Sequence, residues 1–133
     1  MKRIVVDLDG TLTVDAASVP YEAKEPNSLM IERLRQYKAA GFEVVIATAR
    51  NMRTYGGSIG HITAKTLPVI IEWLNRHDVP YDEIHVGKPW CGTDGFYIDD
   101  KAIRPSEFLA LSYEDIRSLL AQEETAVEME ASE

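Results

Sequence analysis

Short β-branched runs alternate along this chain with stretches of helical period. Lys2 to Val6 (KRIVV) is apolar and stops at Asp7-Leu8-Asp9-Gly10, where the glycine permits a turn, so it predicts a buried strand that delivers Asp7 at its end. Residues 14 to 26 contain Pro20 and Pro26 without helical period and predict a loop or flap. Asn27 or Ser28 caps the next element, in which Leu29, Ile31, Leu34 and Tyr37 ahead of Gly41 suit an amphipathic helix. Phe42 to Ala47 (FEVVIA) predicts a second buried strand, ending at Thr48-Ala49-Arg50.

Residues 51 to 65 hold Gly56, Gly57 and Gly60 and read as an irregular loop; Leu67, Ile70, Ile71 and Leu74 then mark a second helix that fades near His77. Glu83 to Val86 (EIHV) predicts a third strand running into Gly87-Lys88-Pro89. Gly95 to Ile98 (GFYI) predicts a fourth strand closed by Asp99-Asp100, and Tyr113 to Leu120 a last helix. Strands alternating with helices imply parallel β-α-β units with helices on both faces, hence an α/β, Rossmann-like fold with a mainly parallel sheet.

Composition narrows the classes. The 133 residues fit one domain, expected over residues 1–121, with an acidic, disordered tail over 122–133. A net charge of −8 disfavours a nucleic-acid partner, which would require a cationic face. No apolar run is long enough to span a bilayer, and the single cysteine, Cys91, makes no internal disulfide, so a cytoplasmic location is expected. His61, His77 and His85 lack metal-ligand spacing, and Trp73 shares helical spacing with Ile70 and Leu74 as a core residue would.

In such a sheet the strands' carboxyl ends share one edge, where ligands bind. Here those ends carry Asp7 and Asp9, Thr48 and Arg50, Lys88, and Asp99 and Asp100. A carboxylate beside a divalent cation can attack phosphorus, and a second carboxyl two residues on can protonate the leaving oxygen and later activate water. Asp7 and Asp9 fit those roles. A threonine hydroxyl and a lysine ammonium, Thr48 and Lys88, suit developing phosphoryl charge, and Mg2+ prefers oxygen ligands such as the Asp99-Asp100 pair supplies.

The run Asp7-Leu8-Asp9-Gly10-Thr11-Leu12-Thr13, with Thr48, Lys88 and Asp99-Asp100 in that order, resembles the four motifs of the haloacid dehalogenase superfamily of phosphatases. More narrowly, residues 48–55, Thr66-Leu67-Pro68, residues 87–92 and residues 99–108 are similar to the bacterial capsule-biosynthesis phosphatases, a likeness covering about residues 3–108. The resemblance implies a Mg2+-dependent phosphatase with an aspartyl-phosphate on Asp7 and Asp9 as acid/base, its backbone carbonyl also reaching the metal. It implies phosphate contacts from Thr48 and Lys88, and substrate contacts from Gly10, Thr11, Ala49, Arg50, Arg53 and Trp90. The metal set is Asp7, Asp9, Asp99 and Asp100, with Asp100 favoured as direct ligand and Asp99 as a water-mediated or lysine-orienting partner. The implied substrate is a small phosphorylated sugar, or a related nucleotide-sugar derivative, of surface-polysaccharide assembly.

Residues 14–42 and 49–87 leave no room for the cap domain of larger superfamily members, so a capless enzyme is expected, its opening covered by a large substrate or a neighbouring subunit of a homo-oligomer. Two rival readings are a receiver-like phospho-accepting regulatory domain and a phosphate-binding scaffold without turnover. In receivers, however, the lysine comes last, whereas here Lys88 precedes the final aspartate pair, and no motif position is substituted.

Overall fold

The computed structural model describes residues 1–131, in the order β1 (Arg3–Val6), α1 (Ser28–Ala39), β2 (Glu43–Thr48), α2 (Ile59–His61), α3 (Leu67–Arg76), β3 (Glu83–Val86), α4 (Pro105–Ala110) and α5 (Tyr113–Ala131). The chain divides into two compact units, Met1–Trp90 and a second from Cys91 onward. The stretch that opens the second unit, residues 91–104, has no helix or strand.

The first unit is built on a parallel three-stranded sheet of order β1-β2-β3. Val6 pairs with Ile46 and Ile46 with Ile84, so these three side chains share one face. That face is the buried one: Val6, Val44 and Ile46 lie in a core with Leu8, Leu12, Met30, Leu34, Ile70, Trp73 and Leu74. Burying a side chain of this kind contributes about 1.5–3 kcal/mol, enough for a few residues per strand to hold the register. On the opposite face only the central Val45 is buried; Val5 is 64% exposed, and Arg3, Glu83 and His85 are exposed.

Helix α1 starts where the Asn27 side chain accepts from the Met30 amide, which satisfies one of the donors a helix start leaves open. Its buried stripe is Met30, Ile31, Leu34 and Tyr37, with Met30 in place of the expected Leu29, which is 72% exposed. The second helical region begins earlier than glycine content suggested: α2 is a single turn whose cap, Ser58, accepts from the His61 amide, and a π-helical turn, Ile62–Thr66, runs straight into α3. Buried Ile62 and Thr66 on that turn supply the packing that overrides the loop composition.

In the second unit, Gly95 to Ile98 is not a strand, contrary to expectation, and the sheet has three strands among the described residues. Phe96 is 76% and Ile98 89% exposed, so these side chains lack the buried face that turns β-propensity into a strand. Helix α4, which periodicity missed, starts at Pro105, with the Glu107 carboxylate accepting from the Arg104 amide. Helix α5 continues to Ala131, through the acidic stretch expected to be disordered, because Gln, Glu, Ala and Met are strong helix formers. Residues 132 and 133 of that expected tail lie outside the described residues. No helix of the described residues is long and apolar enough to cross a membrane.

Candidate active site at the end of the first strand

The turn after β1 is knotted around one carbonyl. The Leu8 oxygen accepts from the amides of Thr11 (3.2 Å), Leu12 (2.9 Å) and Thr13 (3.1 Å), while Leu8, Leu12 and Thr13 are buried and anchor the loop from below. Gly10 takes φ +78°, a conformation that suits glycine, and its amide donates to Thr13 Oγ1 at 3.1 Å. With Leu8 pointing into the core, Asp7 and Asp9 are left half-buried on either side of it.

Asp7 faces a cation and a hydroxyl. Lys88 Nζ lies 3.6 Å from Asp7 Oδ1, and Thr11 Oγ1 donates to Asp7 Oδ2 at 3.2 Å. Burial pushes the Asp7 carboxyl above its ordinary pKa, against the opposing pull of Lys88 and the Thr11 bond. Lys88 is set by backbone: its amide donates to the Thr48 carbonyl at 3.1 Å, and the preceding Gly87 has φ +83°. A Cβ at Gly87 would run into the Ile59 side chain, so this position needs glycine both for conformation and for space.

Thr48 ends β2 and is 1% exposed, and its Oγ1 accepts from the Arg50 amide at 3.1 Å. Arg50 turns its guanidinium onto Asp9: Nε lies 3.0 Å from Oδ2 and Nη2 2.8 Å from Oδ1, a two-point pair of the strong kind. The Tyr21 ring lies 4.2 Å from its guanidinium carbon, and Nη1 is buried without a hydrogen-bond partner.

The flap closes this corner. Its arms are tied by Val14 N to Glu25 O (2.8 Å) and Asn27 N to Leu12 O (2.8 Å), with a 3-10 turn at Tyr21–Ala23. Lys24 on the returning arm reaches both Asp9 Oδ1 (3.3 Å) and Asp15 Oδ1 (2.9 Å), and its carbonyl accepts from Trp73 Nε1 at 2.8 Å. Burial works against the Lys24 charge, but the bonds to Asp15 and Asp9 outweigh it and raise its pKa. Lys24 was not among the residues singled out from sequence; the one signal was a lysine among the acidic residues Asp15, Glu22 and Glu25 of the flap. A cleft of about 610 Å³ lies under the flap, lined by Asp15, Val19, Tyr21 and Lys24 among others.

The structure thus brings Asp7, Asp9, Gly10, Thr11, Thr48, Ala49, Arg50 and Lys88 to one end of the sheet. Arg53 and Trp90 form a separate pair, the guanidinium 5.8 Å from the ring centroid. Asp99 and Asp100 belong to the second unit, where both are exposed and Asp99 Oδ1 accepts from the Lys101 amide at 2.9 Å. Among the described residues, no group of three or more His, Cys, Asp or Glu side chains is gathered to hold a metal ion. The donors that are present, the carboxylates and carbonyls around Asp7 and Asp9, are all oxygen and chemically fit Mg2+.

A crystal structure of a structural-genomics target from Vibrio cholerae is 58% identical, with a TM-score of 0.89, covering 92% of this chain and 99% of that one. A D,D-heptose 1,7-bisphosphate phosphatase from B. bronchiseptica, solved with magnesium and phosphate, is 20% identical with a TM-score of 0.47, covering 72% of this chain and 54% of that one. No curated protein matches the chain. The model of the haloacid dehalogenase-like hydrolases matches residues 4–75, more than half of the sequence, and spans the turn after β1, the flap, Thr48 and Arg50. The chain belongs to the haloacid dehalogenase-like hydrolases.

Proposed function

We propose that this hydrolase is a phosphomonoester phosphatase that works through an aspartyl-phosphate on Asp7. The observation that carries the reading is the Asp7 carboxylate at the end of β1, with Lys88 Nζ 3.6 Å away and Asp9 two residues on. An Asp7 oxygen attacks phosphorus and the bond to the leaving oxygen breaks, with Asp9 giving that oxygen its proton. Water then attacks the aspartyl-phosphate, Asp9 takes the water's proton, and inorganic phosphate leaves with Asp7 restored. Lys88 and Thr48 supply fixed donors to the phosphoryl oxygens.

Arg50, whose guanidinium is taken up by Asp9, orients that carboxylate, and this is the role we assign it in place of a direct substrate contact. Gly10 and Thr11, with Ala49, line the phosphoryl pocket, and Arg53 and Trp90 form a substrate wall. Asp7, the Asp9 carbonyl and the Asp99-Asp100 pair would hold Mg2+, with Asp100 as direct ligand. Bound there, the ion offsets repulsion between the attacking carboxylate and the phosphate. The motif resemblance favours a phosphorylated sugar of surface-polysaccharide assembly as substrate.

The test is hydrolysis of p-nitrophenyl phosphate and a panel of sugar phosphates with Mg2+. Turnover that Asp7→Asn abolishes is the expected result, with acid-quenched wild-type enzyme retaining label from a radioactive phosphoryl donor. No turnover of any phosphomonoester with Mg2+ sinks the reading.

A further inference from the structure

We propose that Lys24, on the flap, is a positioning residue for proton transfer: it fills Oδ1 of Asp9 and leaves Oδ2 as the oxygen that gives and takes the proton. The proposal rests on the phosphatase reading and adds to it a residue that neither the turn after β1 nor the end of β2 supplies.

The assignment starts from the lone pairs of one carboxylate, each of whose oxygens accepts about two hydrogen bonds. Asp9 Oδ1 accepts from Arg50 Nη2 at 2.8 Å and from Lys24 Nζ at 3.3 Å. Among the described residues, Oδ2 accepts only from Arg50 Nε, at 3.0 Å. Oδ1 is thus full, and Oδ2 keeps one open site, where a proton can sit without displacing a cation. Arg50 bonds each oxygen once and does not tell them apart. Lys24 makes the difference.

Lys24 is fixed at both ends. Its carbonyl accepts from the indole nitrogen of fully buried Trp73 in α3 at 2.8 Å, and the Glu22 carbonyl two residues earlier accepts from Arg76 of the same helix. At the other end, Nζ reaches Asp15 Oδ1 at 2.9 Å as well as Asp9, and the Lys24 side chain is only 10% exposed. The Tyr21 ring lies 4.8 Å from Nζ and 4.2 Å from the Arg50 guanidinium carbon, within cation–π reach of both, which helps two like charges share one carboxylate. The Asp15 bond by itself would anchor the flap; the reach to Asp9 is a second contact that anchoring does not require.

The chemistry follows from that oxygen. As the bond from phosphorus to the leaving oxygen breaks, that oxygen keeps the electron pair and takes the proton from Oδ2. When water attacks the aspartyl-phosphate, its proton goes to the same Oδ2, and the carboxyl is ready for the next turnover. Without Lys24, Oδ1 regains an open site, the proton has two oxygens to choose from, and the carboxyl loses one of its three bonds.

The experiment separates proton delivery from folding by the basicity of the leaving group. Wild type and Lys24→Met are assayed with Mg2+ on p-nitrophenyl phosphate, whose leaving group departs without a proton, and on p-methoxyphenyl phosphate, of similar shape but with a more basic leaving oxygen. In Lys24→Met, kcat/KM on the methoxy substrate is expected to fall about tenfold further than on the nitro substrate, a part of the roughly 10²-fold that misplacing a catalytic group by about 1 Å costs. Lys24→Ala, which buries no side chain against the two carboxylates, is the second variant should Lys24→Met not fold, and the same ratio is read from it. An equal loss on both substrates marks a lysine that only anchors the flap, a loss confined to KM marks a substrate contact, and either result, or no loss at all, overturns the proposal. A wild type that hydrolyses no phosphomonoester is a different outcome: the phosphatase reading itself fails, and this proposal with it.

Discussion

The Asp9 carboxylate is held by two cations. Arg50 grips both of its oxygens and Lys24 shares one of them, so three flanking segments, the β1 turn, the end of β2 and the flap, converge on a single side chain. An acid/base group must sit within a fraction of an ångström of its proton's path, and misplacement by about 1 Å costs on the order of 10²-fold. Arg50→Met is therefore expected to lower kcat by roughly that factor with little change in KM, and Arg50→Lys to recover part of it. A rise in KM at unchanged kcat would instead make Arg50 a substrate contact. Asp7 supplies a second prediction. Its folded pKa is raised, so its ionisation weakens the fold, an effect absent below the unfolded value near 3.8 and growing as pH rises through the folded pKa. Asp7→Asn should raise Tm slightly at pH 7, with the gain vanishing near pH 3 in thermal melts; the side chain's 37% exposure keeps it small. Asp7, Asp9, Thr48 and Lys88 were legible because strand ends in a parallel sheet face one edge. Lys24 was not, because its approach to Asp9 is set by how the flap folds back, which no local pattern encodes.

At the scale of elements, sequence pattern worked where an element buries its own stripe and stopped where it depends on a distant neighbour. Strand β3 falls over Glu83–Val86 as its pattern predicts, and α1 takes Asn27 as its cap. The segment 95–98 has the composition of a strand but lies outside the strands of the sheet, and α4 is short enough that its capping carboxylate, not periodicity, defines it. Asn27→Ala removes a cap and also the bond from Asn27 Nδ2 to the Thr11 carbonyl, and is expected to cost about 1 kcal/mol in urea unfolding. Gly87→Ala meets both an unfavourable φ and the Ile59 side chain. A loss of about 1–3 kcal/mol is expected, with a fall in activity through Lys88, and Ile59→Ala in the same chain should return part of both. Asp82 ties the lead-in of β3 to β2: its carboxylate accepts from the Val44 amide at 2.8 Å and pairs with Lys38 at 2.7 Å, and the Lys38 bond foremost, then Val44, hold its pKa low. That stabilisation is present above pH 4 and lost as pH falls through the lowered pKa, so Asp82→Asn should lower Tm at pH 7 and lose its effect in strong acid.

Across the whole molecule, a net charge of −8 coexists with a site where Lys24, Arg50 and Lys88 stand close to the carboxylates of Asp7 and Asp9. A dianionic substrate of the kind proposed would thus approach a repelling surface to reach a local cationic patch, and kcat/KM should change little or rise as salt screens the repulsion. The α/β class was legible in advance, because strands and helices alternate along the first ninety residues. The tie between flap and core also gives the molecule a built-in optical reporter. The chain has two tryptophans, and one of them, fully buried Trp73, hydrogen-bonds through its indole nitrogen to the flap at Lys24. With Trp90→Phe silencing the other fluorophore, any lifting of the flap breaks that bond and shifts the remaining emission, so opening and closing can be timed in a stopped-flow instrument without attaching a dye.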